Sequence, residues 1–178
     1  QTDKISSGAF PVFSDEAGEK MQEQILSARS EGDSVGGCVE CGIYGLPAGI
    51  GNPIFDGIEN AIAANVFGIG GVKGIEFGTG FGASTMRGSA NNDEFYMDGD
   101  TVKTVTNNHG GILGGITTGM PVIFNVAFKP TPSISREQRS VSFSTGEAVP
   151  LSTEGRHDQC LAVRAVPCIE AVAAVNIA

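Results

Sequence analysis

Between Gly78 and Gly119 the chain is rich in Gly, Asn and Thr and carries little apolar periodicity. A run of that length without a helical or strand repeat, set inside a compact domain, points to functional loops, so a ligand is expected there. Glycine makes up 26 of the 178 residues, roughly twice the usual ~7%. Its clusters follow no three-residue period, which excludes collagen. The chain is 40% hydrophobic and 17% charged, enough apolar side chain to offset the entropy of ordering. One compact domain over residues 1–178 is expected.

Around that run the pattern alternates between element types. Ser14-Asp15-Glu16 offers a capping side chain and acids ahead of Met21, Ile25 and Leu26, a helix that stops at Gly32. Residues 34–44 alternate as a strand. Ile58, Ala61, Ile62 and Val66 recur at helical spacing, and residues 69–77 read as a β-branched strand. Val122, Phe124, Val126 and Phe128 alternate strongly, until the prolines of Lys129-Pro-Thr-Pro-Ser133 stop the pairing. Residues 139–151 suit a hairpin around Gly146, and Leu161 onward is helical. Because helices and strands do not alternate strictly, the order argues for α+β: a mainly antiparallel sheet with packed helices.

The net charge of −9 is uneven: residues 1–100 carry 5 basic and 15 acidic side chains, residues 101–178 carry 6 and 5. This gives no footprint for nucleic acid or an anionic membrane. An anionic ligand would be held locally, by residues such as Lys129, Arg136, Arg139, Arg156 and Arg164. No stretch is apolar enough to span a membrane. Cys38 and Cys41 have metal-knuckle spacing, but on a strand an offset of three sends the sulfurs to opposite faces. With Cys160 and Cys168 they are expected to be buried free thiols in a reducing compartment. Gln1 is not an initiator Met and residues 169–178 read as a helix without a stop signal, so a fragment is expected.

Several constellations carry chemistry. Gly78-Thr-Gly-Phe-Gly-Ala83 follows a strand in the loose GxGxxA form, but the required helix and ribose-binding acid are missing, which favours a plain glycine loop. The paired glycines of Gly110-Gly-Ile-Leu-Gly-Gly-Ile-Thr-Thr-Gly119 admit either a flat ligand or another backbone, and the sequence does not choose. His109 reads as a structural hydrogen-bonder. Lys129-Pro-Thr-Pro-Ser133 brings a cation, two hydroxyls and a stiff backbone, which suits a phosphate. In Gly155-Arg-His-Asp158, Arg156 would keep Asp158 ionised where the two pair, leaving a carboxylate able to accept a proton.

The order of these motifs resembles the chorismate synthase family. The resemblance runs from about Glu31 to the last residue: Glu31-Gly-Asp-Ser-Val-Gly-Gly37, Gly45-Leu-Pro-Ala-Gly-Ile-Gly51, Val72-Lys-Gly-Ile-Glu-Phe77, Arg87-Gly-Ser-Ala-Asn-Asn-Asp-Glu94, Asn108 through Gly119, Phe128-Lys-Pro-Thr-Pro-Ser-Ile134, Gly155-Arg-His-Asp158, Arg164-Ala-Val-Pro167 and Glu170-Ala171. It implies a carbon–oxygen lyase of aromatic amino acid biosynthesis. The implied reaction is 1,4-elimination of phosphate from 5-enolpyruvylshikimate 3-phosphate to give chorismate. Reduced FMN is required without net redox change, and NADPH is a candidate reductant. By resemblance Asp158 assists departure of the C6 proton, and Ala90, Asn91, Gly114, Lys129, Pro130, Thr131, Pro132, Ser133 and Arg156 line the FMN site.

The implied fold is one half of a β-α-β sandwich, in a cytoplasmic homotetramer. Only the C-terminal half is represented, without the family's catalytic His residues, so the fragment alone is expected to be inactive. Gln159 stands where the family usually has Pro. The alternative is a non-catalytic flavin- or nucleotide-binding module.

Overall fold

The computed structural model describes residue 5 and residues 10–178. The described chain divides into two compact units, one formed by residues up to 37 together with 128–166, the other by residues 38–127 and 167–178.

The first unit opens with helix α1, Asp15–Ser30, where Ser14 Oγ accepts the amide of Ala17 at the N-terminus and Asp15 and Glu16 face the positive end of the helix dipole. The helix ends at Glu31, and Gly32 turns the chain with φ +69°. The hairpin expected around Gly146 forms from β9, Gln138–Val141, and β10, Ala148–Leu151, antiparallel with Ala148 opposite Val141. Small side chains supply much of the packing: Ala28, Ala162 and Ala165 are all buried.

The second unit carries the larger core. Strands β1 (Gly37–Ile43), β8 (Val122–Phe128) and β3 (Val72–Phe77) form a sheet in the order β1-β8-β3. In β8 the alternating side chains Val122, Phe124 and Val126 are completely buried, which stabilises by about 1.5–3 kcal/mol for each such side chain. Phe77 packs on Phe124 with ring centroids 5.7 Å apart. Helix α2, Ile58–Val66, adds Ile58, Ile62 and Val66 of the apolar stripe read from the sequence, while Ala61, its fourth member, is exposed. The C-terminal helix α4, Leu161–Ile177, brings Ile169 and Ala173 to this core.

The run from Gly78 to Gly119 is more regular than its composition suggests. After a 3₁₀ turn (Gly80–Thr85) and a four-residue helix α3 (Gly88–Asn91) come two antiparallel hairpins. One pairs β4, Phe95–Asp98, with β5, Thr101–Thr104. In the other, β6, Ile112–Leu113, pairs with β7, Ile116–Thr118, and β7 also pairs with β2, Ala48–Gly51. Polar side chains rather than an apolar stripe organise this run, so periodicity could not reveal it. Gly99-Asp100, the two residues between Asp98 and its partner Thr101, was the available hairpin signal.

The thiols also depart from expectation. All four are free, and Cys38 and Cys41 differ in exposure as opposite strand faces require, but Cys38 and Cys168 are exposed rather than buried. Cys38 lies on a strand where Val39 is the one buried position.

Candidate functional site

In the first unit two loops carry the sequence-predicted groups. Lys129 to Ser133 leaves the end of β8, and prolines at 130 and 132 withhold two backbone donors from any ladder. Lys129 is exposed, whereas Thr131 is half-buried and its Oγ1 has no hydrogen-bond partner among the described residues. In the second loop Gly155 adopts φ +136°, and a Cβ there would lie 3.2 Å from His157 Nε2. That nitrogen is likewise buried and without a partner. Arg156 is exposed.

Asp158 does not take Arg156 as its ion partner. Its Oδ2 lies 2.9 Å from Nε of Arg164, with the two side chains 36% and 73% exposed. Arg164 sits in the first turn of α4, close enough along the chain to reach back, while Arg156 turns to solvent. The carboxylate therefore keeps an ionic neighbour and remains accessible. Gln159, at the place where proline was expected, folds its Nε2 onto the carbonyl of His157 at 2.8 Å.

In the second unit Asp93 is the organising residue, and the sequence reading gave it no role. Its side chain is only 4% exposed. Oδ1 accepts Thr106 Oγ1 at 2.6 Å and the amide of Asn108 at 2.8 Å, while Oδ2 accepts the amide of His109 at 3.1 Å. The His109 Nδ1 stands 2.8 Å from Oδ2. Burial pushes the Asp93 pKa up, but these hydrogen bonds outweigh it and hold the carboxyl down at about 2. Glu59 on α2 moves the other way: desolvation raises its pKa, partly opposed by His109.

Asn108 extends the network. Its Nδ2 donates to the carbonyls of Ala90 and Asn91, at 3.3 and 3.2 Å, and so fixes α3, where both of those candidate residues reside. Asn107 bonds the amide of Gly111 through Oδ1 and the carbonyl of Pro121 through Nδ2, both at 2.8 Å. The signal for this network was the run Thr106-Asn-Asn-His109, side chains that satisfy backbone groups where ladders cannot.

Of the two roles left open by the sequence, close approach of another backbone accounts for two of the paired glycines. At Gly111 a Cβ would lie 2.4 Å from the carbonyl oxygen of Pro121, and at Gly115 2.5 Å from that of Asn52, so these two glycines serve backbone approach. Gly114 has φ +60° and open space where its Cβ would be. It is the glycine of this hairpin free to meet a ligand.

Comparison with known proteins decides the lineage. The family model described as chorismate synthase matches residues 1–178. The chain belongs to the chorismate synthase family. Among curated relatives, the chorismate synthase of Dehalococcoides mccartyi is 49% identical over 162 residues, covering 91% of this chain and 44% of that protein. That of Thermococcus gammatolerans is 49% identical over 179 residues, covering 100% of this chain and 50% of the relative. A crystal structure of chorismate synthase superposes with a TM-score of 0.68 at 33% identity, over 74% of this chain and 40% of the other. The chain thus spans about half the length of the chorismate synthases it matches. The α+β reading with antiparallel pairing accords with that neighbour. Among the described residues no helix is long and apolar enough to cross a membrane.

Proposed function

We propose that residues 1–178 form a single fragment, the C-terminal half of a chorismate synthase. In the whole protein it would eliminate phosphate from 5-enolpyruvylshikimate 3-phosphate to give chorismate. Membership in the family along the entire chain carries this reading.

The residues present suit a flavin nucleotide. Thr131 Oγ1 and His157 Nε2 are buried polar atoms without partners, a costly state for groups that serve no ligand. Within the first unit, Lys129 and the hydroxyls of Thr131 and Ser133 match a phosphate; within the second, Gly114 has open space where its Cβ would be. The resemblance to the family adds Ala90, Asn91, Pro130, Pro132 and Arg156 as FMN contacts in the whole protein. Reduced FMN, when bound, supplies electron density as phosphate leaves, and NADPH is the candidate reductant.

Asp158 would assist departure of the C6 proton. Its carboxylate is ionically paired but 36% exposed, so it can be reached, and Arg164 steadies its orientation. A cytoplasmic homotetramer is the proposed setting. Apolar side chains left exposed on the two ribbons, Phe95, Met97, Phe143 and Leu151, support surfaces that further chain would cover.

The test is Asp158→Asn in the whole protein, assayed anaerobically with reduced FMN. Turnover should fall by about 10²–10⁴-fold, with FMN affinity retained. Full turnover in the variant would remove Asp158 from its role. FMN binding without turnover in the parent would shift the reading to a non-catalytic flavin module.

A further inference from the structure

We infer that residues 32–37 form a positioning strap that holds the Lys129–Ser133 loop and the Gly155–Gln159 loop in register. The inference rests on the flavin reading above for its functional consequence, but its geometry stands alone within the first unit.

The strap grips one loop with side chains and backbone. Ser34 Oγ donates to the carbonyl of Thr131 at 2.7 Å. Just beyond the loop, Gly32 O accepts the amide of Arg136 at 3.0 Å, and Asp33 Oδ2 lies 3.3 Å from Arg136 Nη1. It grips the other loop from the next residue: the amide of Val35 donates to Gln159 O at 2.8 Å. Ser34 bonds through its side-chain hydroxyl and Val35 through its backbone amide, so the two neighbours serve different loops.

The two glycines that follow bring these segments close. A Cβ at Gly36 would stand 2.8 Å from Phe128 O and 3.3 Å from Pro130 Cδ. At Gly37 it would stand 2.6 Å from Ala162 Cβ and 3.4 Å from Cys160 Sγ. One glycine therefore faces the proline loop and the other faces the start of α4. The need for a strap follows from composition. Pro130 and Pro132 lack backbone donors, so the proline loop has fewer amides by which to be held and its carbonyls matter more. The strap uses Thr131 O and Gln159 O, and Thr131 Oγ1 and His157 Nε2 stay without partners among the described residues.

The strap is a positioning element, and it is tested in the whole protein with Ser34→Ala, Ser34→Thr and, as a distant control, Ser144→Ala. Amide exchange of peptides covering 129–136 and 155–160 is followed together with FMN affinity by fluorescence titration and with kcat at saturating FMN. Ser34→Ala should speed exchange in both peptides and weaken FMN binding by about five- to tenfold, the effect of one lost hydrogen bond. It should also lower kcat. Ser34→Thr keeps the hydroxyl and should restore all three.

Faster exchange confined to 129–136, with kcat at saturating FMN unchanged, would overturn the strap, because Ser34 would then serve one loop only. Failure of Ser34→Thr to restore either loop would overturn it as well. If the parent binds no FMN yet both peptides respond to Ser34→Ala, the strap stands and the flavin reading falls. Should Ser34→Ala lose its fold by circular dichroism, Ser34→Cys takes its place with the same two-peptide criterion.

Discussion

His109 presents Nδ1 to Asp93 Oδ2 at 2.8 Å, and because that carboxyl is held at about 2 it can only accept, so Nδ1 carries the proton. The pair therefore fixes the tautomer of the histidine as well as its ring orientation, leaving Nε2 as the acceptor of neutral His109. The same geometry makes Asp93 a contributor to stability with a defined acid limit. Its pKa is lowered from 3.8 to about 2 on folding, so its contribution of about 2 kcal/mol is complete above pH ~5 and lost as pH falls through about 2. Asp93→Asn should destabilise by about that amount at pH 7 in urea denaturation. The difference from the parent should shrink as pH approaches 2, and a gap independent of pH would contradict the assignment.

Arg164 and Asp158 form an ion pair 2.9 Å apart with Arg164 largely in solvent. Such a pair contributes about 0–1 kcal/mol, screened by salt. Arg164→Ala should leave the melting temperature within about 2–4 °C of the parent, while turnover in the whole protein falls several-fold as Asp158 loses its orientation. Equal turnover would mean that Asp158 needs no help from α4.

Cys41 and Cys168 provide a chemical contrast. Desolvation and the charge of Glu170 push the Cys41 thiol up to about 11, leaving little of the nucleophilic thiolate near neutrality. Cys168 is an exposed free thiol. Under iodoacetamide at pH 8, mass spectrometry should find Cys168 modified well before Cys41, and reaction at Cys41 should accelerate as pH rises toward 11. Prompt alkylation of Cys41 at pH 8 would mean that burial does not hold its thiol protonated.

The elements legible in the sequence are those whose packing writes a period. β8 alternates because one face is the core, α2 repeats at 3.6 because one stripe meets that core, and α1 is announced by Ser14. The hairpins between Phe95 and Thr118 were missed because most of their side chains face outward or bond to backbone, so no apolar rhythm marks them. At the site, residue type was legible but partnership was not. Asp158 could be singled out, yet its choice of Arg164 over Arg156 depends on how α4 starts, which local sequence does not encode. Asp93 escaped notice for a similar reason: a single acid in a loop reads as solvated until the fold buries it.

Neighbouring glycines 114 and 115 separate folding from ligand binding in one hairpin. Both have positive φ, +60° and +85°, as the two central positions of a tight type I′ turn require. Gly115 has in addition no room: a Cβ would stand 2.5 Å from Asn52 O and 2.9 Å from the Gly57 Cα. Gly115→Ala must therefore move backbone as well as accept strain, and a loss of about 3 kcal/mol or more is expected. Gly114→Ala meets open space and should cost only about 1–2 kcal/mol of left-handed strain. Its methyl group, however, would occupy the space assigned to the flavin, so FMN affinity in the whole protein should fall by about tenfold. Denaturation and FMN titration of the two variants should thus rank them in opposite orders once folding is allowed for. A Gly114→Ala protein that binds FMN like the parent would take Gly114 out of the flavin site and return this turn to a purely structural role.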